Sequence, residues 1–265
     1  MTIAWLTDIH LNFLTRRRVS RFLESVRANG TNAVLVGGDI GEADSVVEYL
    51  RWMAEELRQR IYFVLGNHDF YRGSIAGVRA AVSGLCRESQ WLRWLPEAGV
   101  VELTDSTALV GHDSWADGRF GDFFQMPSAL NDYYWIQELR DLPDADRLSK
   151  LNQLGDEAAE HFWRIVPEAF EGFERVILLT HVPPFAESCW HHGYISSDQW
   201  LPHFSCKAVG DVLVEIMRAR PDRELTVLCG HTHGKGEAGV LPNLRVLTGG
   251  TEYGSPRVQA VLEVL

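Results

Sequence analysis

The first 65 residues alternate with a regularity that leaves few folds open. Residues 2–7 are a largely apolar run, residues 17–28 carry apolar side chains at helical spacing up to Gly30, and residues 33–36 are a second apolar run ending in Gly37-Gly38. Residues 45–58 return to the helical period, with Val46, Val47, Leu50, Met53, Ala54 and Leu57, and 61–65 form a third apolar run closed by Gly66. Strand, helix, strand, helix, strand at this spacing predicts parallel strands joined by right-handed crossovers. The three strands then point one way, and whatever follows each of them meets at one rim. That rim is where open α/β sheets bind ligands.

After Gly99 the pattern changes. Residues 100–103 and 107–110 flank Thr104-Asp105-Ser106 and predict a hairpin. Residues 113–145 are irregular and rich in aromatics, and an insertion or lid is expected there. A helix is expected over 148–170, bent or ended by Pro167, and another over 207–218. Strands are expected at 175–179, 225–229, 244–248 and 257–264. The fold class expected is α/β, with two mixed β-sheets packed as a sandwich and helices outside. The 265 residues contain no repeat or linker-like stretch, so one domain over 1–265 is expected.

Composition narrows the partners. A formal charge of -11 argues against a general nucleic-acid or anionic-membrane binder, whose affinity comes from clustered Lys and Arg. No apolar run approaches the roughly 20 residues that span a bilayer. Cys86, Cys189, Cys206 and Cys229 are scattered, without a C-x-x-C pair, and read as reduced thiols. The start, MTIAWLTDIHL, lacks the basic flank and cleavage site of a signal peptide, so a cytoplasmic location is expected.

The residues that follow the strands carry the chemistry. Asp8-Ile9-His10 follows the first, Gly38-Asp39 the second and Asn67-His68-Asp69 the third; later strands end in Thr180-His181 and Gly230-His231-Thr232-His233. Carboxylates, an amide and imidazoles without a thiolate are oxygen and nitrogen ligands suited to Mn, Fe, Zn, Ni or Co. They exceed what a single structural ion needs, so two ions are expected. Two metals about 3.5–4 Å apart form the clamp used for in-line displacement at phosphorus. On an extended segment, alternation would put His231 and His233 on one face.

The motifs DIH, GGDI, GNHD, THVPP and GHTH, in that order from residue 8 to residue 233, resemble those of the calcineurin-like metallophosphoesterase superfamily. A lone D-x-H or G-D means little; GNHD is more specific, and the full series more so. The resemblance implies one metal held by Asp8, His10, Asp39 and His233 and a second by Asp39, Asn67, His181 and His231, with Asp39 bridging. It implies that a metal-bridging hydroxide attacks a phosphomono- or phosphodiester in line. His68 then faces the phosphate, steadying a phosphoryl oxygen or protonating the leaving group, and Asp69 orients the His68 ring. Asp69 could also cap a helix over 71–85.

A small-molecule phosphoester, nucleotides among them, is the expected partner, and oligomeric state is left open. Arg119 or His112 could contact substrate, as could Arg16, Arg17 and Arg18, and His191 and His192 could line the mouth. The alternative is a non-catalytic scaffold of the same fold that binds a protein partner; the complete ligand set speaks against it.

Overall fold

The computed structural model describes residues 1–126 and 130–265; residues 127–129, inside the aromatic-rich segment, lie outside the described residues. The chain runs β1 (Thr2–Leu6), α1 (Arg16–Ala28), β2 (Ala33–Gly37), α2 (Val46–Leu57), β3 (Arg60–Val64), α3 (Ile75–Glu88), β4 (Leu92–Trp94), α4 (Leu95–Ala98), β5 (Val101–Glu102) and β6 (Thr107–His112). It continues with α5 (Asp132–Trp135), α6 (Asp144–Gly172), β7 (Arg175–Thr180), β8 (Trp190–His191), β9 (Tyr194–Ile195), α7 (Leu201–Phe204) and α8 (Lys207–Arg218). The strands β10 (Glu224–Cys229), β11 (Gly236–Leu241), β12 (Leu244–Thr248) and β13 (Ala260–Glu263) complete it.

Two mixed sheets result. The first has the order β13-β1-β2-β3-β4 and the second β11-β12-β10-β7-β6-β5. As the spacing predicts, β1, β2 and β3 pair in parallel, and β5 and β6 form the expected antiparallel hairpin. Strands buried on both faces need apolar residues at every position, which is why β2 reads AVLVG without alternation. Ile3, Trp5, Leu35 and Val64 from one sheet meet Leu109, Leu179 and Leu228 from the other in the layer between them. The outer face of the first sheet packs with Val19, Leu23, Leu50 and Val82 of α1, α2 and α3. That of the second packs with Phe162, Val166, Leu213 and Ile216 of α6 and α8. Fully burying such a side chain contributes about 1.5–3 kcal/mol.

Some boundaries differ from expectation. Helix α6 starts four residues before 148 and runs through Pro167 to Gly172. Helix α3 begins at Ile75, where the Ser74 hydroxyl accepts from Gly77 N–H; the cap is Ser74, not Asp69. No helix among the described residues is long and apolar enough to cross a membrane.

Candidate metal centre

All five motif-bearing loops leave the carboxyl ends of β1, β2, β3, β7 and β10 at one rim. Backbone bonds hold the loops in register: Asp8 N–H donates to Gly38 O, His10 N–H to Asp39 O, and Gly230 N–H to His181 O. Close approach demands glycine at two places. A Cβ on Gly66 would collide with the Asp39 carboxylate, and one on Gly230 with the Asp8 carboxylate and the Thr7 hydroxyl.

The first group of donors is Asp8, His10, Asp39 and His233, whose ligating atoms all lie within 4.8 Å of one another. His10 Nε2 is 3.2 Å from His233 Nε2, and Asp39 Oδ2 is 3.5 Å from His10 Nε2. The second group centres on Asn67. Its Oδ1 is 3.0 Å from His181 Nε2 and 3.1 Å from His231 Nδ1, and Asp39 Oδ1 is 3.5 Å from His181 Nε2. Asp39 therefore turns one carboxylate oxygen to each group.

The protonation logic of the second group fits a cation. His181 Nδ1 lies 2.8 Å from Gly37 O and His231 Nε2 3.2 Å from His203 O; a carbonyl only accepts, so these nitrogens carry the hydrogens. The opposite nitrogens are then bare lone pairs, and both aim at an amide oxygen. Burial lowers the pKa of His181 and pulls that of His231 down to about 4, so no proton fills the gap at neutral pH. Three acceptors converge on a point that needs positive charge. The carboxylates say the same from the other side: burial, and then the charges of Asp8 and Asp69, push Asp39 well above the usual range. Ordinary oxygen and nitrogen ligands with their outer ring nitrogens already hydrogen-bonded are the form metal sites take.

A family model for calcineurin-like phosphoesterases matches residues 1–235. The chain belongs to the calcineurin-like phosphoesterase family. Its fold is similar to that of the phosphopantetheinyl hydrolase of Mycobacterium tuberculosis, at 15% identity and a TM-score of 0.60, covering 94% of this chain and 89% of that one. A dimetal phosphatase from Danio rerio is similar at 12% identity and a TM-score of 0.58, covering 94% and 87%. A transmembrane protein with a metallophosphoesterase domain from Danio rerio is 30% identical over 116 residues, which are 42% of this chain and 23% of that protein. Members of this family are metal-dependent hydrolases, and this phosphoesterase carries the buried Asp/His cluster such chemistry requires.

The other expected residues divide. The His68 ring lines the cleft, stacked on Tyr71 at 4.2 Å, with its backbone N–H donated to Asp39 Oδ1 at 2.9 Å. Asp69 does not orient it. The Asp69 carboxylate accepts from the backbone N–H groups of Ile40, Gly41 and Gly66, at 2.8, 2.8 and 2.9 Å, and so fastens the second and third loops together. Its two oxygens are spent on amides, which are closer and fixed. Arg119 pairs with Asp117 and Asp156 and is not among the described residues that line the cleft. His112 is buried beside His161 in a separate cavity. His191 lines the cleft; the exposed His192 does not. Arg16 pairs with Glu48, and Arg18 donates to Gly254 O.

His231 and His233 are not on an extended segment. Both have positive φ, 68° and 58°, so the chain turns between them and sends one ring to each donor group. Sequence reading also missed Tyr253, whose ring lies 4.6 Å from that of His10 and 4.9 Å from that of Phe13 at the cleft wall. It missed Asp132 as well, a buried carboxylate bonded to Asn67.

Proposed function

We propose that this phosphoesterase binds two divalent metal ions and hydrolyses esters that carry a single phosphate group. The observation that carries the reading is the convergence of His181 Nε2, His231 Nδ1 and Asn67 Oδ1 as bare acceptors, beside Asp8, His10 and His233, with Asp39 facing both. Ions held by these residues would supply Lewis acidity toward a phosphoryl oxygen and would activate water for in-line displacement.

The chain's own groups do the rest. His68 stands over the cleft, and burial first, then the neighbouring histidines, hold its pKa at about 3. At neutral pH its ring is an N–H donor without charge. That favours steadying a phosphoryl oxygen over handing a proton to the leaving alkoxide. The Tyr253 hydroxyl, 3.5 Å from His68 Nε2, offers a second donor beside it.

The cleft encloses about 290 Å³, and its described lining includes Leu130, Tyr71, Phe204 and Tyr253 but neither Lys nor Arg. A second phosphate would find no cationic side chain there, which favours a mono- or diester over a pyrophosphate.

Elemental analysis after manganese loading, followed by turnover of bis-p-nitrophenyl phosphate, p-nitrophenyl phosphate and inorganic pyrophosphate, tests the reading. Two ions per chain and ester turnover at least about tenfold above that of pyrophosphate are expected. Absence of bound metal and of ester hydrolysis would end the two-metal reading; pyrophosphate turnover equal to that of the esters would end the single-phosphate one.

A further inference from the structure

We propose that Asp132 is a positioning residue that locks the Asn67 amide with its oxygen, rather than its nitrogen, toward His181 and His231. The inference rests on the two-metal reading above and concerns the second donor group.

The physical problem is the amide itself. Asn67 can present either end of its side chain to two imidazole nitrogens that are bare acceptors. With no ion present, the better bond comes from turning the NH2 inward, where it donates to both. That orientation aims N–H groups at the point where a cation must sit and removes the one neutral oxygen ligand. A lone asparagine between these histidines would therefore close the site by hydrogen bonding.

Asp132 opposes that flip. Asn67 Nδ2 donates to Asp132 Oδ1 at 2.8 Å and to the Tyr71 hydroxyl at 3.3 Å, and the hydroxyl donates in turn to the same Oδ1 at 2.7 Å. Both amide hydrogens are occupied on the side away from the histidines. Asp132 is only 2% exposed, so the carboxylate bond competes against little water. The Asp132 oxygen, 2.8 Å from the amide nitrogen, is nearer than the imidazole nitrogens, which face the other end of the amide at 3.0 and 3.1 Å, and this gives Asp132 the advantage. The residue stands at the start of α5, 65 positions beyond Asn67, so the aromatic-rich segment reaches into the metal centre. The Tyr71 ring also stacks on His68, and the same three-residue network thereby supports the group over the cleft.

The test is manganese binding, read by elemental stoichiometry and by electron paramagnetic resonance, which separates a spin-coupled pair from an isolated ion. The wild-type chain is expected to bind two ions. Asp132→Ala is expected to keep the first and to bind the second about 10–100-fold more weakly, the usual cost of losing such an outer partner, with the six-line spectrum of isolated Mn(II). Asp132→Asn, which keeps an acceptor oxygen, should recover most of the loss. Should Asp132→Ala fail to fold, Asp132→Leu fills the space without accepting and takes its place.

The decisive variant is Asn67→Asp combined with Asp132→Ala (or with Asp132→Leu). A carboxylate has no N–H to turn inward, so the second ion should return. Unchanged second-ion affinity in Asp132→Ala, or a double variant no better than the single one, overturns the proposal while leaving the two-metal reading intact. A wild-type chain that binds no ion removes that reading and this one with it.

Discussion

Asp8, His10, Asp39 and His233 all sit at positive φ, between 39° and 58°, whereas among Asn67, His181 and His231 only His231 does. The contrast extends to the rings. His181 and His231 each anchor the outer nitrogen on a backbone carbonyl, while buried His10 Nδ1 finds no hydrogen-bond partner among the described residues. The rings of the first half are therefore aimed chiefly by backbone conformation, and those of the second also by hydrogen bonds to carbonyls. A non-glycine residue held in the left-handed region costs on the order of 1–3 kcal/mol, so the first group, with four such residues, carries more strain than the second, where only the shared Asp39 and His231 are so held. The same end, several polar groups facing one point, is reached by two physical routes with different weaknesses.

Asp39 belongs to both halves, and its loss should be the most damaging. Asp39→Ala is expected to lose both ions and to lower kcat/KM for bis-p-nitrophenyl phosphate by about 10³-fold or more, since charge stabilisation is commonly the largest catalytic contribution. Retention of both ions with normal turnover would break the bridging role. His68 holds no ion, so His68→Ala should keep full metal content while losing about 10²–10³-fold in rate, the range for one donor aimed at developing negative charge. As an uncharged donor to a phosphoryl oxygen, it should cost p-nitrophenyl and alkyl esters alike. A loss confined to alkyl esters would restore the leaving-group role.

Proton release sharpens the comparison further. Burial and neighbouring carboxylates raise the Asp39 pKa, so Asp39 takes up a proton more readily than an ordinary carboxylate and a cation competes with that proton. The buried histidines, lowered instead, are already neutral and release none. Metal affinity should therefore rise with pH, by at most about tenfold per unit for one proton, which is 1.36 kcal/mol. Calorimetry in two buffers of different ionisation enthalpy measures the proton count, and a count of zero contradicts it. The smallest effect concerns strain alone. His233→Gly should stabilise the metal-free fold by about 1 kcal/mol, because glycine accepts positive φ freely, while His181→Gly should destabilise it by at least as much. Metal-free thermal unfolding of the two variants gives the sign.

Much of this was legible in the sequence because it depends on short-range order. Apolar runs of five residues that end in Gly, Asp or Asn define where β1, β2 and β3 stop, and parallel pairing brings their ends together. The donor groups followed from that. What escaped has a common cause in the three-dimensional path. Asp132 meets Asn67 only after the chain has crossed to the second sheet and returned through a segment without periodicity. Asp69 reads as a partner for the adjacent His68, yet a tight turn points its carboxylate to the amides of Ile40 and Gly41, 29 and 28 residues away. The turn at His231 is invisible for a similar reason, since no glycine at that position announces positive φ.

At the rim opposite the donor groups, the backbone carbonyl of Leu265, just past β13 of the first sheet, accepts from the hydroxyls of Thr104, Ser106 and Thr107 at the start of β6 in the second. At the donor rim each group likewise draws on both layers: His233 reaches across to Asp8, His10 and Asp39, and His181 and His231 reach across to Asn67. An ion in either position would thus be a rivet through the seam as well as a catalyst's tool. Its hold on the folded form would grow with supply, by about 2.7 kcal/mol at a hundredfold excess over its dissociation constant, so a cell that starved this chain of metal would loosen one end of the sandwich along with its chemistry.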